Sequence, residues 1–99
     1  MISELERAIA QKRVVSVFFL GEGGFRKLEP FCIGKTEAGI EVFRAFQVGG
    51  FSNTFTTYGW KLFRIDRIIS IELGDEHFDS ARPGYKFMDP AIHHVICKV

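Results

Sequence analysis

What most constrains this chain is its punctuation: short runs dense in β-branched and aromatic residues, each stopped by glycine. Val14–Leu20 ends at Gly21-Glu22-Gly23-Gly24, Phe25–Ile33 at the stretch from Gly34 to Gly39, Ile40–Val48 at Gly49-Gly50, and Trp60–Leu73 at Gly74-Asp75. Runs of this kind read as strands, and glycine supplies the positive φ that hairpin turns require. Within Ile40–Val48, Val42, Arg44, Phe46 and Val48 alternate with Glu41, Phe43, Ala45 and Gln47, the two-residue period of a strand. Trp60–Leu73 supplies two strands with a tight break near Asp66-Arg67-Ile68, and Pro30 marks an edge or a bulge in its run. The segment FSNTFTTYG, Phe51 to Gly59, is polar between aromatics and reads as a long loop or a frayed hairpin.

The N-terminal stretch follows a different period. Ile2, Leu5, Ala8 and Ile9 stand at helical spacing among Glu4, Glu6, Arg7, Gln11 and Lys12, which predicts a helix over about 2–13 that packs as a lid on the sheet. Ser3 with Glu6 has the spacing of a capping box. At the other end, residues 78–99 form an extension. Arg82-Pro83-Gly84-Tyr85 reads as a turn, and Asp89-Pro90 as a helix start. AIHHVICKV can continue as helix, with Ile92, Val95, Ile96 and Val99 on one side, or run as a strand with Val95, Cys97 and Val99 on one face. A helical turn followed by a strand is the expectation.

Ninety-nine residues, 46% of them hydrophobic, suffice for one core, so residues 1–99 are expected to form a single domain. One helix followed by five short strands within 14–73 predicts a mainly β fold. The expected form is a small five-stranded SH3-like or Sm-like barrel with an N-terminal α-helix, because closure removes the sheet edges.

Charge and cysteine content narrow the function classes. Thirteen Lys+Arg against twelve Asp+Glu give a net charge of +1, so an anion site would have to be local rather than a property of the whole surface. Cys32 and Cys97 cannot build a disulfide scaffold, and no secretory pattern follows Met1, which together predict a cytoplasmic setting. No apolar run approaches the roughly 18–20 residues that span a bilayer, so no membrane partner is expected.

Catalytic and metal motifs are weak. Gly21 to Gly24 lacks the Lys-Ser/Thr pair of a phosphate-binding loop, and Gly50-Phe51-Ser52-Asn53-Thr54 lacks the second glycine of a nucleophile elbow. His93 and Cys97 would share a helix face if the tail were helical, with Cys32 and His77 as distant recruits, but no paired C-x-x-C accompanies them. Asp75, Glu76 and Asp79 lack calcium-loop spacing and read as a solvated turn. An enzyme is not expected, and no cofactor is implied.

Taken in order, LERAIAQKRVVSVFF, RKLEPF, EVFRAFQ and WKLFRIDRIISIEL resemble the WYL domain, a module attached to many bacterial transcription regulators. The resemblance covers roughly residues 2–75, and its most specific piece is Phe63-Arg64-Ile65-Asp66-Arg67-Ile68. Where that family carries Trp-Tyr-Leu, this chain reads Glu41-Val42-Phe43, with Ala45-Phe46 following in register. The resemblance implies an Sm-like barrel acting as a sensing or regulatory module for a nucleotide or single-stranded nucleic acid. Members of that family usually sit beside a helix-turn-helix domain; these residues contain none, so the module would work alone, as a homodimer, or with a separate protein partner such as a transcription regulator.

The residues themselves raise an anion site independently. Arg44 interrupts the apolar face of Val42, Phe46 and Val48, and Arg64 shares a face with Trp60 and Leu62. If the two guanidinium groups met at one patch, they would form a bidentate site for phosphate or carboxylate. Trp60 would provide a stacking surface, and Ser52, with Asn53 and Thr54, a polar rim. The alternative is that Arg64 and Arg67 pair with Asp66, Glu29, Glu41 or Glu72, and that Arg44 lays its stem on apolar surface. A second function class is an interaction or dimerisation module that uses Phe51, Phe55, Tyr58 and a sheet edge.

Overall fold

The structure, a computed structural model, describes residues 1–54 and 56–99. Helix α1 (Ile2–Gln11) leads into strands β1 (Arg13–Phe19), β2 (Arg26–Lys35), β3 (Glu41–Gly50) and β4 (Gly59–Arg64). A 3-10 turn (Ile65–Arg67) and β5 (Ile68–His77) follow, and β6 (His94–Lys98) comes last. All pairings are antiparallel, in the order β4-β3-β2-β1-β5, with β6 added to β2. The five strands expected within 14–73 are β1–β5, and the strand expected at the end of the tail is β6, which joins the same sheet at β2. The expected break inside Trp60–Leu73 is the 3-10 turn.

Helix α1 is shorter than its predicted span. The chain leaves it at Lys12 in the left-handed conformation (φ 53°), whose N–H closes on the carbonyls of Ala8 and Ile9. The capping box does not form. Ser3 already lies inside the helix, and its Oγ bonds the Glu4 carboxylate at 3.0 Å. Leu5, Ala8 and Ile9 point into the core with Val15, Val17, Phe19, Leu28, Ile33, Phe43 and Ala45, so the helix packs on the sheet as expected. Pro30 is fully buried in a central strand, where a break in the β2–β3 register accommodates its missing N–H.

Strand β2 is buried along nearly its whole length, which an antiparallel strand with one wet face would not be. Its second face is covered by the extension. Val14, Phe31 and Phe78 form a second cluster with Phe46, Val48, Trp60 and Tyr85, and Cys32, Val42 and Ile92 form a third. Cys32 lies in that outer cluster, whereas Cys97, opposite Ile33 on β6, packs against the inner core. The two thiols are free and face opposite sides of the sheet, and burial pushes both above their ordinary pKa. Because His94–Lys98 is a strand, His93 and Cys97 do not share a helix face; His93 instead donates its backbone N–H to Lys35. Among the described residues no group of three or more His, Cys, Asp or Glu is placed to hold a metal, and no helix is long and apolar enough to cross a membrane.

Candidate functional site

The outer face of β3 and β4 carries the site, and the extension shapes it. Phe78 donates its N–H to Lys12 O and His93 to Lys35 O, each at 2.8 Å, and these two bonds anchor a strap of residues 79–92 at both ends. Between them the strap's backbone–backbone hydrogen bonds are internal: Tyr85 N–H to Arg82 O at 3.2 Å and Ile92 N–H to Asp89 O at 3.1 Å. Side chains hold the strap to the sheet. Arg82 grips Glu29 of β2 through Nε (3.0 Å) and Nη2 (2.7 Å) and lies over the Phe46 ring at 4.1 Å. Arg44 of β3 grips Asp89 in the opposite sense, through Nε (2.6 Å) and Nη2 (3.1 Å). Bidentate guanidinium–carboxylate pairs of this kind fix orientation as well as adding energy. Between the two pairs, Tyr85 packs on Phe31 and Trp60, and Trp60 Nε1 donates to Pro83 O at 2.9 Å.

A pocket of about 210 Å³ lies where the strap crosses the sheet, lined by Arg44 and Trp60 below and by Gly84, Lys86, Asp89 and Pro90 above. Its electrostatics are set by two cations and one anion. The Arg44 pairing holds the Asp89 carboxyl below its ordinary pKa. It leaves Arg44 Nη1 without a protein partner among the described residues, and Lys86 makes no ion pair there. Asp89 also accepts the Ala91 N–H at 3.0 Å, so one carboxylate both caps the Pro90-Ala91 turn and clasps the arginine. The expected helix start at Asp89-Pro90 is thus a single turn followed by a strand.

Of the four predicted site residues, the structure brings two together. Arg44 and Trp60 line one pocket. Arg64 shares their sheet face, since Val42 opposes Arg64 and Arg44 opposes Leu62, but the two guanidinium groups do not make a common site. Arg64 is exposed and closes on Asp66 two residues away, at 3.1 and 2.7 Å, and it lines a separate depression with Arg67, Leu20 and Leu62. The carboxylate pairing weighed for Arg64 from the sequence is the one formed. Arg44, in turn, meets a carboxylate from outside the strands.

Ser52 lies on the other side of β4, where its Oγ accepts a hydrogen bond from Lys61 Nζ at 3.1 Å and donates to Thr56 O at 3.0 Å. Burial, with the nearby Arg26 charge, lowers the Lys61 pKa. This loop borders a polar cluster that runs into the core: Arg26 binds Glu22 twice (2.8 and 2.7 Å) and the buried Gln47 at 2.8 Å, and the exposed Asn53 also donates to Glu22. Ser52 and Asn53 therefore organise a loop rather than rim the Arg44 pocket. Among the aromatics of the interaction reading, Tyr58 is exposed, Phe51 packs half-buried near Arg26, and Phe55 lies outside the described residues.

Sequence reasoning missed Gly84, Lys86 and Asp89 as pocket residues. The available signal was the second apolar face: Val42, Phe46 and Val48 outside, with Phe43 and Ala45 inside, require a cover on both sides, and Phe78, Tyr85 and Ile92 in the tail are the cover. No protein-family model matches the sequence, and no curated protein or solved structure is significantly similar to it.

Proposed function

We propose that this chain is a non-catalytic sensing or regulatory module that binds a mononucleotide in the pocket between strap and sheet. The observation that carries the reading is that Arg44 and Trp60, a cation and a stacking ring, share one concave site with a second cation, Lys86. The Arg44 guanidinium supplies the hydrogen-bond donors for a phosphate, Lys86 adds positive charge from the strap, and the Trp60 ring supplies a face for a base. The charge layout favours a single nucleotide over a strand. With Arg64 turned away, no line of cations among the described residues leads out along a backbone, and at about 210 Å³ the pocket lies below the roughly 300–1,000 Å³ of small-molecule sites, so even one nucleotide needs the strap to give way.

The finer fold belongs to the same proposal: an SH3-like or Sm-like barrel, and membership of the WYL family. In support, β4 and β5 are the two ends of the five-strand order yet are joined by three residues, Ile65–Arg67, which draws the sheet's edges toward each other. One inner core also draws on α1 and on every strand from β1 to β5.

Trp60 is the sole tryptophan, so its emission reports on the site directly. Titration with AMP is expected to change that emission saturably. Arg44→Lys, which keeps the charge but not the planar fork, is expected to weaken binding about tenfold. No emission change up to about ten times a millimolar dissociation constant, a weak limit for specific binding, or equal affinity in the Lys variant, counts against the proposal.

A further inference from the structure

We propose that Asp89 is a built-in competitor for the ligand's phosphate, and that an external anion reaches Arg44 by displacing residues 84–91 of the strap. The inference rests on the reading of the Arg44 pocket as the ligand site and adds its regulation.

Three observations carry it. First, the Asp89 carboxylate meets Arg44 in the two-point geometry that an incoming carboxylate or phosphate would use, with the partners' side chains only 23% and 9% exposed. The best donor pair of the pocket is already taken by the chain's own anion. Second, Tyr85 lies against Trp60 at 5.9 Å between ring centres, so the strap also covers part of the stacking surface. Third, the strap is tethered at Phe78 and His93 but makes no backbone–backbone hydrogen bond to the sheet between them among the described residues. Lifting it exchanges side-chain contacts without unzipping a ladder, which is how low-cost local opening is built. Its crown, Phe87 (69% exposed) and Met88 (84%), stands in solvent, while the Arg82–Glu29 pair holds the end nearer Phe78 as the fixed side of the hinge.

A site whose competent state is partly populated binds with its affinity divided by that population. Asp89→Asn keeps an oxygen for the Ala91 N–H, so the turn survives, but removes the charge that holds Arg44. The variant is expected to bind AMP about tenfold tighter than the wild type.

Amide exchange provides the test. In the wild-type protein, AMP is expected to speed exchange across residues 84–91, the reverse of the protection that a ligand gives to a lid closing over it. Equal or weaker AMP binding by Asp89→Asn, or AMP that slows exchange in the strap, overturns the inference. If neither protein binds AMP, the mononucleotide reading fails, and inorganic phosphate at matched ionic strength decides the competition alone. Phosphate that drives wild-type strap exchange toward the rate of Asp89→Asn supports displacement; phosphate without effect overturns it.

Discussion

At Gly84 the strap lies close against Trp60 of the sheet, and replacing it with alanine tests what that contact contributes. Its φ is +84°, and a Cβ there would stand 2.8 Å from Trp60 Nε1 and 3.2 Å from Trp60 Cδ1. The indole cannot step aside cheaply, because Phe31 and Phe46 hold it edge-on at 4.8 and 5.4 Å and its N–H is bonded to Pro83 O. Gly39 is the matched control: φ is +83°, and a Cβ there would meet nothing within 4 Å. Both alanine variants carry the left-handed backbone cost, roughly 1–2 kcal/mol. Only Gly84→Ala must also move the strap and break the Trp60–Pro83 bond, a further ~0.5–1.5 kcal/mol. At about 4–8 °C per kcal/mol for a domain of this size, Gly84→Ala is expected to melt several degrees below Gly39→Ala. Thermal denaturation followed by tryptophan emission reads both effects, with a red shift of the native spectrum in Gly84→Ala alone. Identical melting temperatures and unchanged emission would show that the strap does not press on Trp60.

Other perturbations address different parts of the molecule. Glu22→Ala leaves Arg26, whose side chain is 6% exposed, without its buried carboxylate and is expected to cost roughly 3–5 kcal/mol in urea unfolding. Pairing Glu22→Leu with Arg26→Met removes the unpaired charge and should recover part of that loss, the remainder being the buried Gln47 oxygen left without its donor; a double variant as unstable as the single one would refute the desolvation argument. Asp89, held below its ordinary value of 3.8 by Arg44, contributes stability that is fully present above the unfolded-state pKa and is lost as pH falls through the folded one. The stability gap between wild type and Asp89→Asn should therefore be constant near neutrality and shrink in acid below pH 3.8; a gap that widens in acid contradicts the sign.

Legibility varies by element, for physical reasons. The helix, the glycine-bounded strands and the break at Ile65–Arg67 are readable because each depends on neighbours within a few residues: apolar spacing, β-branched density, and glycine at turns. The capping box fails because a cap is defined by where the helix begins, and a helix that begins at Ile2 with Met1 as its cap places Ser3 inside it. The arginine site is half readable. Period-2 alternation puts Trp60 with Arg64 on β4 and Arg44 with Phe46 on β3; the β3–β4 register then places the two sets on one face. Which anion each arginine meets depends on contacts the pattern does not encode. Arg64 finds Asp66 two positions away, which local reading anticipates, whereas Arg44 finds Asp89 forty-five positions away, which it cannot.

From the order of its residues alone, this protein is committed to a β-rich domain with one amphipathic helix and an arginine and a tryptophan on a common strand face. Side-chain direction along a strand is a local property of the backbone, and no folding partner is needed to know it. Only the tertiary structure decided that the tail would cross that face, clasp Arg44 with Asp89 and leave a pocket beside Trp60. Those contacts join segments 23 to 45 residues apart through surfaces that do not exist until the sheet has formed.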